Sequence, residues 1–313
     1  MNDHPDFPLP DLPSFQHSNR RAFVRAAGLA LGGLGLGAAS GRAAESAAGA
    51  SSPAGTKSKM RLGLVTYNLA KDWDVATIIK NCAAAKFEGV ELRTTHAHKV
   101  EVALSKEERA DVKKRLADSP VALMGLGSAF DYHTPDTAKL RKDIEATKEY
   151  IVLAHDVGAS GVKVRPNGLP KEVPVEKTLD QIGRALLELG EFAAGHGQMI
   201  RLEVHGSGTS QLPHIRRIMD VARHPNVGVC WNSNQSDLDG AGFDANFDSV
   251  QDRIVAVHMR DLYLEEYPWR RLLTRLNESG FDGFCLAEIP ESADPVRVMR
   301  YYRGLWLALQ GVV

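Results

Sequence analysis

The sequence predicts a (β/α)8 TIM barrel that forms a single α/β domain over residues 60–313. From residue 61 onward, short apolar runs rich in Val, Leu and Gly alternate strictly with longer stretches of helical periodicity. Eight such pairs fill about 250 residues, the usual size of this barrel. The runs are almost continuously apolar, which is typical of parallel strands covered on both faces. A doubly wound open sheet is the alternative, and no glycine-rich dinucleotide motif supports it.

The elements follow in regular order along the chain. The predicted strands are 61–67, 89–93, 121–128, 161–166, 200–206, 227–232, 254–261 and 284–289. The stretches between them, such as SKEERADVKKRLAD, carry apolar residues at helical spacing. Several end in glycine just before the next strand, as in HDVGASG, which is an ordinary way for a helix to end.

Residues 1–50 predict an export signal and tether rather than a folded domain. Arg20 and Arg21 precede Phe23 and the Gly-rich run LALGGLGLGAAS, with small residues suited to cleavage near Ala43 or Ala50. This pattern resembles a twin-arginine signal peptide, and the run is too short to span a bilayer. We therefore expect a periplasmic protein without a stable membrane anchor after signal removal. A disordered basic N-terminus is the alternative.

Charge and cysteine content exclude several classes. Lys and Arg total 38 and Asp and Glu total 39, so no net charge attracts nucleic acid or a membrane surface. Cys82, Cys230 and Cys285 are too few for a disulfide framework, and each lies among apolar residues. We expect no nucleic-acid partner and a core role for the cysteines.

Polar residues close the predicted strands, and the carboxyl ends of barrel strands carry the chemistry of TIM barrels. Glu203, His258 and Glu288 come from strands five, seven and eight, which lie on one side of the barrel. Two carboxylates and an imidazole suit a divalent cation, and a charge inside an apolar strand is costly unless it is paired or ligating. Ion pairing within the strands is the alternative for Glu91 with Arg93 and for Lys163.

At these residues the chain resembles the xylose isomerase-like TIM barrel superfamily, in phrases such as FEGVELR, VHMRD and GFCLAEI. The resemblance implies one divalent metal, with manganese expected first and zinc, cobalt or magnesium as alternatives. It assigns the ligands to Glu203, Asn232, His258 and Glu288. It also implies that Glu203 and Glu288 exchange protons with the carbon beside a keto group.

The stretch Asn232-Ser233-Asn234-Gln235 departs from that family, which usually has Asp-x-x-His after strand six. An amide oxygen at position 232 can ligate a hard cation without adding charge, so affinity should fall and the bound metal should become a stronger Lewis acid. A helix-capping loop is the other interpretation of these amides.

The expected function is a metal-dependent sugar isomerase or epimerase acting on an unphosphorylated carbohydrate. A lyase or hydrolase acting on 3-keto-glycosides through the same enolate is one alternative, and a non-catalytic carbohydrate-binding barrel is another. Candidate groups to assist catalysis are Lys163 and His205, and a homo-oligomer is left open. The candidate substrate-binding residues are Glu91, Arg93, His96, Trp73, Trp231 and Arg260.

Overall fold

The predicted fold is confirmed by a computed structural model, which describes residues 58–312. Eight parallel strands pair in chain order, and the last pairs with the first to close the barrel. The strands are β1 Arg61–Val65, β2 Gly89–Arg93, β3 Ala122–Gly127, β4 Gly161–Val164, β5 Met199–Glu203, β6 Val227–Asn232, β7 Ile254–Met259 and β8 Phe284–Ala287. The predicted export segment, 1–50, lies outside the described residues.

An α-helix follows each strand, as the alternating pattern predicts. The helices are α1 Val75–Ala85, α2 Lys106–Ala117, α3 Thr137–Val157, α4 Val175–Ala194, α5 Leu212–Val221, α6 Phe243–Val250, α7 Trp269–Glu278 and α8 Pro295–Leu309. Asp74 and Ser105 cap α1 and α2 with side-chain oxygens, and Gly158 ends α3 in the left-handed region at φ 79°. Within the described residues, no helix has the length and apolarity needed to cross a membrane.

The barrel interior is filled by small and apolar side chains below a polar layer. Val65, Met124, Cys230 and Leu286 are among the buried residues of the inner cluster, and all three cysteines are buried and free. Gly127 makes room for the polar layer, because a Cβ there would lie 2.6 Å from Oε1 of Glu91. The glycine at this point in β3 therefore allows a carboxylate inside the barrel.

Candidate active site

Glu203, His258 and Glu288 meet at the carboxyl ends of β5, β7 and β8. One ligand atom from each lies within 4.8 Å of the others. Nδ1 of His258 lies 3.5 Å from Oε1 of Glu203 and 3.7 Å from Oε2 of Glu288. The structure thus brings together the three residues that the sequence analysis placed on one side of the barrel.

Two neighbours hold Glu203 from the adjoining strands. Lys163 on β4 donates from Nζ to Oε2 at 2.6 Å, and both side chains are almost fully buried. Asn232 on β6 donates from Nδ2 to Oε1 at 3.2 Å. With the amide in this orientation its nitrogen faces the carboxylate, so ligation by the Asn232 oxygen requires the amide to turn over. Metal ligation by Asn232 stays a prediction.

Glu91 on β2 lies next to Nε2 of His258, the ring nitrogen that does not face Glu203 and Glu288. Its Oε1 lies 3.4 Å from Nε2 of His258, and the Glu91 side chain has no solvent exposure. A carboxylate behind a ligating histidine orients the ring and makes it a better donor. This corrects two expectations, since Glu91 lies too deep to touch a substrate and faces His258 rather than pairing with Arg93. Glu91 meets His258 because it lies one inward-facing position below Arg93 on β2, inside the barrel.

The two candidate bases have opposite electrostatic environments. Burial opposes ionisation of Glu203, but Lys163 and His258 outweigh it and lower its pKa well below the ordinary value. For Glu288, burial raises the pKa, and the attraction of His258 only partly opposes this. Carboxylates whose environments separate their pKa values are the usual basis for distinct acid and base roles.

The three residues fit a divalent cation. Ligand atoms about 2.1 Å from a metal lie roughly 3.4 Å from one another, close to the 3.5 and 3.7 Å separations at His258. Among the described residues, neither ring nitrogen of His258 has a hydrogen-bond partner, although both are buried. A buried imidazole nitrogen that faces two carboxylate oxygens is well suited to bind a metal. The donor set also matches the hard and intermediate metals that the sequence analysis considered.

A chain of hydrogen bonds from Asp131 through Asn167 reaches His205, just beyond β5, and this relay fixes which ring nitrogen of His205 carries the proton. Nδ1 of His205 lies 3.1 Å from Oδ1 of Asn167, whose Nδ2 donates to Oδ2 of Asp131 at 3.2 Å. Burial opposes ionisation of Asp131, but contacts with His133 outweigh it and lower its pKa. An ionised carboxylate only accepts hydrogen bonds, so the amide oxygen must face His205 and Nδ1 must carry the proton.

The consequence for His205 is a free lone pair on Nε2. Burial, helped by the cationic Arg165 and Lys163, lowers the pKa of His205 despite the opposing attraction of Glu203. The neutral ring with a protonated Nδ1 presents Nε2 as a hydrogen-bond or proton acceptor. The predicted candidate His205 is therefore equipped to act as a base.

The amide-rich loop after β6 has a second, structural role. Asp237, fully buried, accepts hydrogen bonds from the Tyr267 hydroxyl at 2.6 Å and from the backbone N–H of Asn234 at 3.1 Å. Asn234 itself donates to the carbonyl oxygen of Val204 at 2.7 Å. A short 3-10 helix, Gln235–Leu238, follows. The two amides therefore have different roles. Asn232 faces the candidate site, whereas Asn234 binds the loop to the residue that follows β5.

Trp231 does not lie in the candidate site, and its prediction as a sugar-binding residue is wrong. It has no solvent exposure, packs against Phe243 and Phe247 of α6, and donates from Nε1 to the Tyr267 hydroxyl at 2.9 Å. Alternation along β6 explains this, because Asn232 points inward and its neighbour must point toward the helices. Trp73 is part-buried against the hydrophobic core, and no contact described here joins it to the catalytic trio.

The remaining predicted binding residues lie around the barrel mouth. His96 is within 3.1 Å of the Thr66 hydroxyl, and burial, with nearby His98 and Arg93, lowers its pKa to about 4. Arg93 donates to Oγ1 of Thr94 at 2.7 Å. Arg260 has buried guanidinium nitrogens without a hydrogen-bond partner among the described residues. These positions are compatible with substrate contact, which stays a prediction for each of them.

Asn167 and Asp237 are the contributors that the sequence analysis missed. Asn167 lies in the turn PNG and adopts the left-handed conformation at φ 67°, which asparagine tolerates better than most residues. That turn signal was available in the sequence, but its partner His205 is distant along the chain. Asp237 gave no signal, because only the folded structure shows that it is buried.

The fold and the mouth of the barrel define a class of protein, a TIM barrel with two carboxylates and an imidazole that are compatible with a divalent metal. The model of the xylose isomerase-like TIM barrel family matches residues 79–304, and the chain belongs to that family. No curated protein matches the sequence.

Solved structures share the fold at low sequence identity. The 3-keto-D-glucoside 4-epimerase from E. coli has a TM-score of 0.67 and 13% identity, over 80% of this chain and 99% of the other. A D-psicose 3-epimerase solved with D-fructose has a TM-score of 0.68 and 13% identity, over 80% and 100%. The IOLI protein with a bound zinc atom has a TM-score of 0.65 and 15% identity, over 80% and 96%. These structures are sugar epimerases in two cases and a zinc-binding protein in the third.

Proposed function

We propose that the protein is a metal-dependent carbohydrate isomerase or epimerase that removes a proton from the carbon next to a keto group. The observation that carries this proposal is the convergence of Glu203 and Glu288 on Nδ1 of His258 at the barrel mouth. Two carboxylates on either side of one reacting carbon can remove a proton from one face and return it on the other. The two epimerases among the similar structures support the same choice of substrate class.

Glu203, His258 and Glu288 would hold the metal, with manganese as the first candidate. When bound, a divalent ion supplies Lewis-acid polarisation of neighbouring carbonyl and hydroxyl oxygens. The protein supplies the proton transfers. Glu203 is ionised and fixed by Lys163, whereas Glu288 has a side-chain exposure of 24% and is open to the barrel mouth. Glu288 is therefore the group better placed to meet a substrate hydrogen.

A lyase acting on 3-keto-glycosides is the second candidate, and His205 is the observation that favours it. Epimerisation at one carbon needs two proton-transfer groups, and His205 adds a third beside Glu203, with Nε2 unprotonated. Elimination from the same enolate would use that extra group. The other alternative, a barrel that only binds carbohydrate, gives no role to the convergence of Glu203, His258 and Glu288.

Deuterium uptake from solvent tests the proposal directly. The manganese-loaded protein is incubated in D2O with D-fructose, D-psicose, a 3-keto-glucoside and the keto sugar acid D-fructuronate, and NMR follows loss of the proton beside the keto group. We expect exchange with at least one of them, reduced at least 100-fold in Glu288→Gln. The matched control is Glu291→Gln, which changes an exposed carboxylate in the loop after β8. Tight sugar binding without exchange in the metal-loaded protein would instead indicate a binding barrel.

We further propose export by the twin-arginine pathway to the periplasm, because Arg20 and Arg21 precede a short weakly apolar run. An unphosphorylated substrate fits that compartment. Replacing both arginines by lysine should retain the full-length precursor in the cytoplasmic fraction. Unchanged export of the double variant would contradict this proposal.

A further inference from the structure

Two arginines at the barrel mouth lack an acidic partner. Arg93 at the end of β2 and Arg165 just beyond β4 are both part-buried, and no described carboxylate lies within 4.0 Å of either guanidinium. Among the described residues, the Arg93 guanidinium donates only to the oxygens of Thr94, and Nε of Arg165 is buried without a hydrogen-bond partner. By contrast, the part-buried Arg109 and Arg275 each have an aspartate within 2.8 Å.

Strand register shows where the two arginines lie relative to each other on the inward faces of β2 and β4. Arg93 is level with Gly127, and Gly127 is level with Lys163. Side chains two residues apart on a strand share a face. Arg93 therefore lies above the inward-facing Glu91, and Arg165 continues the line of Lys163. Arg165 thus lies one inward-facing position beyond the residue level with Arg93, and β3 between them carries Gly127 with the Glu91 carboxylate beside it.

The two cations are close enough to disfavour each other. Burial lowers the pKa of Arg93, and the largest charge contribution in the same direction comes from Arg165. Repulsion between two part-buried guanidinium groups costs free energy, and the attraction of Glu203 and Glu91 for Arg93 only partly opposes the lowering of its pKa. Such an arrangement is typical of a site that binds an anion, because a ligand carboxylate or phosphate removes the repulsion.

The charge balance of the mouth points the same way. Glu91, Glu203 and Glu288 are matched in number by Lys163, Arg93 and Arg165, and Arg260 adds a fourth cation at the mouth. A divalent ion at the trio would therefore leave positive charge in excess. Asn232 contributes to this excess, because an aspartate at that position would have added another negative charge.

We propose that Arg93 and Arg165 form an anion subsite that binds a carboxylate of the carbohydrate substrate, so that the substrate is a sugar acid rather than a neutral sugar. The inference rests on the proposed function, since it places the anion opposite the catalytic trio across the barrel mouth. The planar guanidinium groups offer paired N–H donors that match the two oxygens of a carboxylate. A phosphate would present the same chemistry.

Calorimetric titration of the manganese-loaded protein tests this inference with D-glucuronate, D-glucuronamide and D-glucose 6-phosphate as probes. Glucuronamide has nearly the shape of glucuronate but carries no charge. We expect glucuronate to bind at least tenfold more tightly than the amide, and this preference to fall at least tenfold in Arg93→Gln and in Arg165→Gln. Arg184→Gln removes an exposed charge on α4 and should leave the preference unchanged.

Thermal unfolding of the same variants separates binding from a structural role. Removing one of two repelling cations should leave the midpoint unchanged or raise it, while anion binding weakens. A marked loss of stability in both glutamine variants would show that the arginines are structural. Tighter binding of glucose 6-phosphate than of glucuronate, lost in the variants, would support the subsite and identify its anion as phosphate.

Equal binding of glucuronate and glucuronamide would overturn the inference. So would a preference for glucuronate that persists in both glutamine variants and disappears on metal removal, because the carboxylate would then lie on the metal. The proposed function fails on a different result, the absence of deuterium exchange. Exchange without an anion preference would refute only the subsite, and an anion preference without exchange would refute only the catalytic proposal.

Discussion

Replacing Asp237 by asparagine should make the protein more stable at pH 8 and remove a pH dependence. Burial raises the pKa of Asp237 from 3.8 to about 8, against the opposing hydrogen bond from Tyr267. The unfolded chain releases this proton near pH 4, so the folded state holds an extra proton between about pH 4 and pH 8. Stability contributed by the neutral acid is therefore present at low pH and lost as pH rises through this window.

The magnitude follows from linkage. One proton difference changes the free energy of unfolding by ~1.4 kcal/mol per pH unit. Between pH 5 and pH 8, the advantage of the Asp237→Asn variant over the wild type should grow by roughly 4 kcal/mol. The asparagine oxygen can still accept the hydrogen bonds from Tyr267 and Asn234, so the loop geometry should persist.

Guanidinium unfolding at pH 5, 6.5 and 8, followed by tryptophan fluorescence, measures this difference. Asp239→Asn is the matched control, because Asp239 lies exposed in the same loop. A difference between wild type and Asp237→Asn that stays constant across the three pH values would refute the reasoning. It would mean that Asp237 is ionised in the folded protein throughout, with Arg260 as the nearest cation to stabilise it.

Three further substitutions test the site. Lys163→Met should destabilise the metal-free protein by about 3–5 kcal/mol, because the buried Glu203 carboxylate loses its lysine partner. The rise in unfolding temperature on adding manganese should therefore be larger in this variant than in the wild type, and an equal rise would contradict this. Glu91→Gln should weaken manganese binding about 10- to 100-fold in titration calorimetry, because His258 loses its supporting carboxylate, whereas unchanged affinity would separate Glu91 from the metal site. Trp231→Phe should lower the unfolding free energy by about 1 kcal/mol, because the hydrogen bond to Tyr267 is lost, and it should leave sugar binding unchanged. Weaker sugar binding in a variant as stable as the wild type would show that Trp231 does contact the sugar.

The fold and the catalytic trio could be read from the sequence because both follow from local patterns. Apolar runs gave the strands, and Glu203, His258 and Glu288 were among the polar residues near the ends of three of them. Strand ends were placed one to three residues too late in several cases, for example beyond Val65 and Met259. Single backbone hydrogen bonds continue past some of these ends, as from the Thr66 N–H to the Glu91 carbonyl oxygen at 3.1 Å, but regular strand pairing does not.

Other features depend on which way a side chain points and on what lies behind it. Trp231 and Asn232 are adjacent in sequence, yet one enters the core and the other faces the catalytic site. Glu91 was placed on the correct strand, but as a substrate-binding residue rather than as a buried neighbour of His258. The relay from Asp131 through Asn167 to His205 joins three loops, and distant partners of this kind leave no pattern in the order of residues.

Elemental analysis of metal content tests directly whether Glu203, His258 and Glu288 hold a divalent ion. The wild-type protein is purified without chelator beside a Glu203→Gln/His258→Ala double variant, with Glu291→Gln as a control for an exposed carboxylate. We expect about one divalent ion per chain in the wild type and in the control. We expect none in the double variant, provided that circular dichroism shows this variant to be folded. A wild type that holds no metal, and takes up none when manganese, zinc or cobalt is added, would contradict the account.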